Sequence, residues 1–312
     1  MAFRIKLIKD DTKIDFMSVH KAGFAVAALL VVATFFFLFT KGLNFGIDFT
    51  GGLLIEVKTP AVMQVEDVRG KLSDLAAGAP VIQEFGDDTF MIKIPGREAD
   101  EGMQKKMSAE VQAALGDEVE FRRVEYVGPQ VGKELIGTGI KAFVYSMIGI
   151  MIYIWVRYEW QFGIAAVASL AHDVIATLLF FILTQVEFDL STVAAVLLVA
   201  GYSVNDTVIV FDRIREILRK YRKKPLKDVI NIAINETLSR TIVTSTTTLA
   251  VMVVLAVFGG AVIKGFIYAM IVGIVIGTFS SIFISAPLLL YMGIRRETLV
   301  AAEEEAGDAV KA

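Results

Sequence analysis

Asp206 lies within an apolar stretch, Leu190 to Phe211, that is long enough to cross a bilayer. A charge at that depth costs roughly 2.5–3.5 kcal/mol on insertion scales unless it faces a partner or a wet cavity. A second apolar stretch, Phe162 to Thr184, carries the adjacent pair His172 and Asp173. A third is entered through Arg240 and a hydroxyl run of Thr241, Thr244, Ser245, Thr246, Thr247 and Thr248. Buried acids facing a base across neighbouring helices can move protons or ions through an apolar layer. The same groups can instead form a structural ion pair that keeps helices in register. Residue type alone leaves both readings open. Asn205 and His172, next to the two acids, and Thr244 and Thr247, beyond Arg240, are candidate supporting groups.

Helical rise converts positions into depths. Counted from Leu190, Asp206 is about 24 Å along its span, and Asp173 is about 16 Å from Phe162. In a hydrocarbon core of roughly 30 Å, Asp206 falls in one half and Asp173 near the midplane. Arg240 has a stem long enough to reach inward, so it can meet Asp206, with Asp173 about a turn above them. Arginine does not deprotonate in proteins, so the partner that changes charge must be an aspartate. The threonines can hydrate a path beside Arg240, or simply back-bond to the preceding turn and hydrogen-bond across helices.

The elements that must position these groups are membrane spans. Of the 312 residues, 55% are hydrophobic, and the mean hydropathy of +0.62 is too high for a soluble globular chain. The net charge of −3 gives no global field for nucleic acid, and with no cysteine there is no thiolate metal site or thiol nucleophile. No cofactor is expected. Six apolar stretches fall near 22–40, 135–156, 163–184, 190–210, 242–259 and 265–292. The first is too long for a signal-peptide core and reads as an uncleaved span.

Bases are segregated. Residues 1–21 carry Arg4, Lys6, Lys9, Lys13 and Lys21, and the loop 211–240 carries Arg213, Arg215, Arg219, Lys220, Arg222, Lys223, Lys224 and Lys227. Arg157 and the pair Arg295 and Arg296 fall on the same side, and the short alternate loops 185–189 and 260–264 hold only Lys264. By the positive-inside rule both termini, including the tail 293–312 with its acids Glu303 to Glu305, are expected in the cytoplasm. Residues 225–240 have Leu226, Val229, Ile230, Ala233, Ile234 and Leu238 on one helical face, which predicts a helix lying flat on the inner membrane surface. The small residues Gly265, Ala269, Gly273, Gly277 and Ser281 recur every four positions in the last span and predict close helix packing.

Residues 41–134 are then expected outside the cytoplasm as a folded domain. Leu53 to Thr59 reads as a strand, Val62 to Ala76 as an amphipathic helix, and Val81 to Gly86 with Thr89 to Pro95 as a hairpin around Gly86 to Asp88. A helix with Met103, Met107, Val111 and Leu115 closes at Gly116, and Val119 to Gly128 is a last strand. That order, βαββαβ, is the ferredoxin-like split unit. Its residues hold no Ser/His/Asp triad and no metal-ligand cluster, so it reads as a binding or moving module. The predicted fold is an α-helical membrane protein of six transmembrane helices with one ferredoxin-like α+β extracytoplasmic domain between spans one and two.

Several segments resemble one family. LNFGIDFTGG (Leu43 to Gly52), LAHDV (Leu170 to Val174) and GYSVNDTVIVFDRIRE (Gly201 to Glu216) are similar to signature segments of the SecF protein-export membrane proteins, in the SecD/SecF family of the resistance-nodulation-division superfamily. VGPQVG (Val127 to Gly132) and TLSRTIVTSTTTL (Thr237 to Leu249) are similar as well. The resemblance covers nearly the whole chain, and the related SecD pattern has a larger exported domain than 41–133. It implies a bacterial inner-membrane subunit that pairs with SecD beside the SecYEG channel, with YajC and YidC as further candidate partners. Such a subunit uses the proton motive force to pull unfolded preproteins out after the ATP-driven stage, in contact with membrane lipids. It implies proton-coupling roles for Asp206, Arg240 and Asp173, and motif roles for Gly46, Asp48, Gly51 and Gly52. Two rivals stand beside it. One is an intramembrane aspartyl protease in which Asp173 and Asp206 share a proton, although no Gly-x-Gly-Asp element surrounds either acid. The other is a scaffold whose charges only hold the spans together.

Overall fold

Long runs of Leu, Val, Ile, Phe and Ala with few breakers form helices here, because in an apolar phase each backbone group must find its partner within its own segment. A computed structural model describes residues 12–60, 63–72, 80–84, 88–95, 101–116, 118–221, 223–260 and 263–294. In chain order the elements are α1 (His20–Thr40), α2 (Ile47–Thr50), β1 (Gly52–Lys58), α3 (Val65–Leu72), β2 (Val81–Glu84), β3 (Thr89–Pro95), α4 (Glu101–Leu115) and β4 (Glu120–Val127). They continue as α5 (Pro129–Arg157), α6 (Trp160–Thr184), α7 (Leu190–Lys220), α8 (Leu226–Phe258), α9 (Lys264–Ser280) and α10 (Ala286–Tyr291), the last two joined by a π turn, Ser281–Ser285. Among the described residues, six helical segments are long and apolar enough to cross a membrane, with α9, the π turn and α10 forming the sixth. The chain is a multi-pass membrane protein.

The structure corrects one expectation. Residues 225–240 are not a separate helix lying on the membrane; they are the first half of α8, which runs unbroken from Leu226 to Phe258. Their apolar face is covered by protein rather than lipid. Val229, Ile230, Ala233, Ile234 and Leu238 are buried with Phe211, Ile214, Ile217 and Leu218, on an extension of α7 to Lys220, and with Met17. Helix–helix burial removes this face from water without breaking backbone hydrogen bonds where the chain enters the span. The segment before α1 is fastened to the same hairpin. Asn235 accepts from the Ile14 N–H and donates to the Ile14 carbonyl, both at 2.8 Å.

The remaining elements make a four-stranded antiparallel sheet in the order β2-β3-β1-β4, with α3 and α4 on one face, which is the ferredoxin-like arrangement. Alternation along the strands decides which side is core. Leu53, Ile55 and Val57 of β1 and Phe90, Ile92 and Ile94 of β3 pack with Val68, Leu72, Met107, Val111 and Leu115 from the helices. The opposite parity, Leu54 and Met91, is covered by Ile47 of α2. Gly116 ends α4 at φ 111°, where a side chain would be strained. The flanks of α3 and residues 85–87 of the hairpin turn lie outside the described residues, as do Arg4, Lys6, Lys9, Arg222, Arg295, Arg296 and the tail acids.

Candidate functional site

The small-residue stripe of the last span sets how closely the helices around the acids approach. A Cβ added at Gly273 would lie 2.3 Å from Val199 Cγ2, and one at Gly277 would lie 3.1 Å from Ser203 Cβ. With no side chains there, α9 lies directly against α7, and the hydroxyls of both helices point at one carboxylate. Asp173 of α6 is wholly buried. Its Oδ2 accepts from the Ser280 hydroxyl at 2.7 Å and from the Ser203 hydroxyl in a short bond. His172 Nδ1 lies 3.1 Å from Oδ1, within reach to donate to it in the Nδ1–H tautomer. Two hydroxyls and an imidazole nitrogen thus converge on one carboxyl, a set able to direct three donors at it.

Asp206 is one turn further along α7 from Ser203 and is also buried. Neither of its oxygens has a hydrogen-bond partner among the described residues. The register brings other buried hydroxyls to its level. Ser169 precedes Asp173 by one turn on the antiparallel α6, and Thr241 precedes Ser245, which bonds Thr278 of α9 at 2.8 Å. The Ser169 and Thr241 hydroxyls and His172 Nε2 are likewise buried without a partner among the described residues. The site therefore has two layers, a saturated one around Asp173 and an unsaturated one around Asp206.

The other predicted residues are placed differently. Arg240 makes no ion pair with Asp206; it lies at the surface of the chain, near enough for its charge to act on that carboxylate through space. Asn205 points away at the surface, one residue and about 100° round the helix from Asp206. Thr244 and Thr247 donate to the Arg240 and Val243 carbonyls of their own helix, each at 2.9 Å. The α8 hydroxyls that face the interior are Thr237, Thr241 and Ser245. Sequence reasoning missed Ser203, Ser280 and Ser169, and within the hydroxyl run it singled out Thr244 and Thr247 over Thr241. Their signal was present in part, since Ser203 precedes Asp206 by three residues and Ser169 precedes Asp173 by four, both same-face spacings.

The motif residues after α1 build a joint within the α+β domain. Gly51 and Gly52 have φ of 70° and 134°, so the chain turns from α2 into β1 through conformations that side chains disfavour. Gly46 donates its N–H to the Phe188 carbonyl at 2.9 Å, and Phe188 donates to the Asn44 carbonyl at 2.8 Å. A Cβ at Gly46 would lie 2.8 Å from Glu187 Oε1, and one at Gly132 would lie 2.5 Å from the Phe49 carbonyl oxygen. Asp48 Oδ2 accepts from the Leu190 N–H at 2.8 Å, while Asp189 Oδ1 caps α7 by accepting from the Thr192 N–H at 2.7 Å. Lys93 pairs with Glu187, and the rings of Phe45, Phe49 and Phe188 pack together.

Comparison with known proteins agrees with this architecture. Residues 107–295 match the C-terminal region of the protein export membrane proteins SecD/SecF, and residues 36–59 match the SecD/SecF GG motif. The protein translocase subunit SecF of Cereibacter sphaeroides is 44% identical over 306 residues, covering 95% of this chain and 94% of its own. That of Rickettsia felis is 42% identical over 297 residues, covering 94% and 96%. The crystal structure of SecDF, a translocon-associated membrane protein from Thermus thermophilus, superposes with a TM-score of 0.81 at 32% identity over 92% of this chain. SecDF in a super-membrane-facing form superposes with a TM-score of 0.66 at 32% identity over 97%. The chain spans 39% and 40% of those two longer chains. With more than half its length matching the family and 42–44% identity to SecF subunits over most of its length, this chain belongs to the SecD/SecF family of protein-export membrane proteins.

Proposed function

We propose that the chain is the SecF-type subunit of a Sec translocase that, together with SecD, uses the proton motive force to drive late-stage translocation and release of unfolded preproteins. The relatives named as translocase subunits and the longer SecDF chains support the pairing with SecD; SecYEG is then the channel served, with YajC and YidC as further neighbours. Both termini lie in the cytoplasm and the α+β domain outside it, a reading supported by the bases around Lys13, Lys21, Arg213 to Lys227 and Arg157.

One observation carries the mechanism. Asp206 is a buried carboxyl with no hydrogen-bond partner among the described residues, next to a layer in which every oxygen of Asp173 is served. A buried unpaired charge is costly, so this acid is the one free to gain or lose a proton, with Arg240 biasing it from a distance. Protonation cancels the attraction to Arg240 and favours a second packing of α7 against α6, α8 and α9. The scaffold reading is less well supported because Asp206 makes no ion pair. The protease reading lacks a carboxylate dyad, since Asp173 is engaged by Ser203, Ser280 and His172.

The test is gradient-driven release of a preprotein from proteoliposomes that contain the chain and its translocase partners. Asp206→Asn, fixed in the neutral state, and Arg240→Met are each expected to abolish the gradient-dependent stage and spare the ATP-driven stage. Wild-type release by Asp206→Asn would refute the proton switch.

A further inference from the structure

We propose that residues 187–193 are the mechanical joint of this cycle, with the Lys93–Glu187 ion pair and the Asp48–Leu190 bond locking the start of α7 to the α+β domain. The inference rests on the proton-driven reading above and adds the parts that transmit the motion. Three kinds of hold act on this short segment: backbone bonds between Phe188 and residues 44–46, the side-chain bond from Asp48, and the ion pair from β3. Gly46 permits the approach, since a Cβ there would lie 2.8 Å from Glu187 Oε1 and 3.3 Å from Asp189 Cα.

The ion pair is not an ordinary surface contact. The Lys93 side chain is 9% exposed and that of Glu187 17%, so either charge alone would be stranded in a largely dry setting. Lys93 projects from the same face of the sheet as Met91, the face that α2 covers. The joint thus grips the sheet itself as well as the motif loop.

The two helices that the joint connects are attached unequally. On the α6 side the chain breaks at Gln185, a non-glycine residue at φ 56°. On the other side there is no break, because Leu190 is the first residue of a helix that continues to Lys220. About 24 Å of continuous helix separates Leu190 from Asp206. A shift or rotation of α7 set by the charge on Asp206 is therefore carried along one helix to residues 187–193, whereas α6 ends before them at Gln185. Asp48, Lys93 and Glu187 act as positioning residues for transport, through α7 and not on the proton.

The experiment uses the full chain, assembled with its translocase partners in proteoliposomes, and two readouts. Amide hydrogen exchange reports whether residues 44–50 and 187–193 are held, and gradient-dependent preprotein release reports work. Glu187→Lys and Asp48→Ala are each expected to speed exchange in these segments at least tenfold, leave β1 and β3 protected, and remove most gradient-dependent release. The swap of Lys93→Glu with Glu187→Lys is expected to restore both. Faster exchange with wild-type release would show a clamp that transmits nothing and overturn the proposal, as would unchanged exchange in the single variants. A wild-type chain without gradient-dependent release would instead refute the proton-driven reading, and the joint with it.

Discussion

Ser280→Ala isolates the hydroxyl that serves Asp173. The substitution deletes one oxygen, leaves the close contact of α9 with α7 intact, and removes a 2.7 Å bond to a wholly buried carboxylate. Hydrogen bonds to charged groups contribute about 1.5–3 kcal/mol, against about 0.5–1.5 kcal/mol between neutral groups. Ser280→Ala should therefore cost about 2 kcal/mol in the native chain and about 1 kcal/mol in an Asp173→Asn background. The coupling of about 1 kcal/mol corresponds to roughly a fivefold change in an equilibrium constant. Reversible unfolding of the full chain in mixed micelles, followed by steric trapping, measures all four corners of the cycle. Ser203→Ala should behave alike, because its hydroxyl serves the same oxygen. Equal costs of Ser280→Ala in both backgrounds would refute the view that the hydroxyls support a charged Asp173.

Other outcomes follow from the same geometry. Gly132→Ala should destabilise the α+β domain by about 1–3 kcal/mol, since its Cβ would meet backbone at 2.5 Å, whereas Gly70→Ala, with open space in helix α3, should stabilise it by about 1 kcal/mol. Thermal melts of the two variants should move in opposite directions, and a shared direction would contradict the contact. The Lys58 ammonium, hydrogen-bonded to Asp88 at 3.1 Å, holds that carboxyl below its ordinary value. A carboxyl lowered in the folded state contributes stability above its unfolded value, about pH 4, and loses it as pH falls through the lowered folded value. Lys58→Met should move the Asp88 titration upward by NMR, and an unmoved midpoint would rule out the pair. For orientation, Asp88→Cys should react with an impermeant maleimide in intact spheroplasts and Lys223→Cys should not; the reverse pattern would invert the topology.

What could be read from the chain alone depended on how local the cause was. The six spans follow from runs of apolar residues, and the βαββαβ order from strand alternation and helical spacing that each lie within about fifteen residues. Asp173 and Asp206 stood out because charge in an apolar run is anomalous wherever it packs. Their surroundings did not stand out. Ser203 and Ser280 are 30 and 107 residues from Asp173, and only the approach of α9 to α7 at Gly273 and Gly277 brings them to it. Residues 226–240 misled for a related reason. An amphipathic face reports that something apolar must cover it, but not whether that is lipid or Phe211 and Ile214 of a neighbouring helix. The loop 185–189 gave no signal beyond its lack of bases, because the groups that hold it, Asp48 and Lys93, are far away in sequence.

The π turn at Ser281–Ser285 follows immediately after Ser280. A turn of this kind accommodates one residue more than a regular helix would, so it is a phase shifter of about 100°. Before it, the last span presents Ser280 to Asp173; after it, the span presents Leu289 to the apolar cluster around Phe211 and Leu238. Removing one residue from 281–285 would leave a well-formed helix of the same chemistry, yet could satisfy only one of these two faces at a time. The extra residue lets a single helix keep two appointments whose angular positions were set independently.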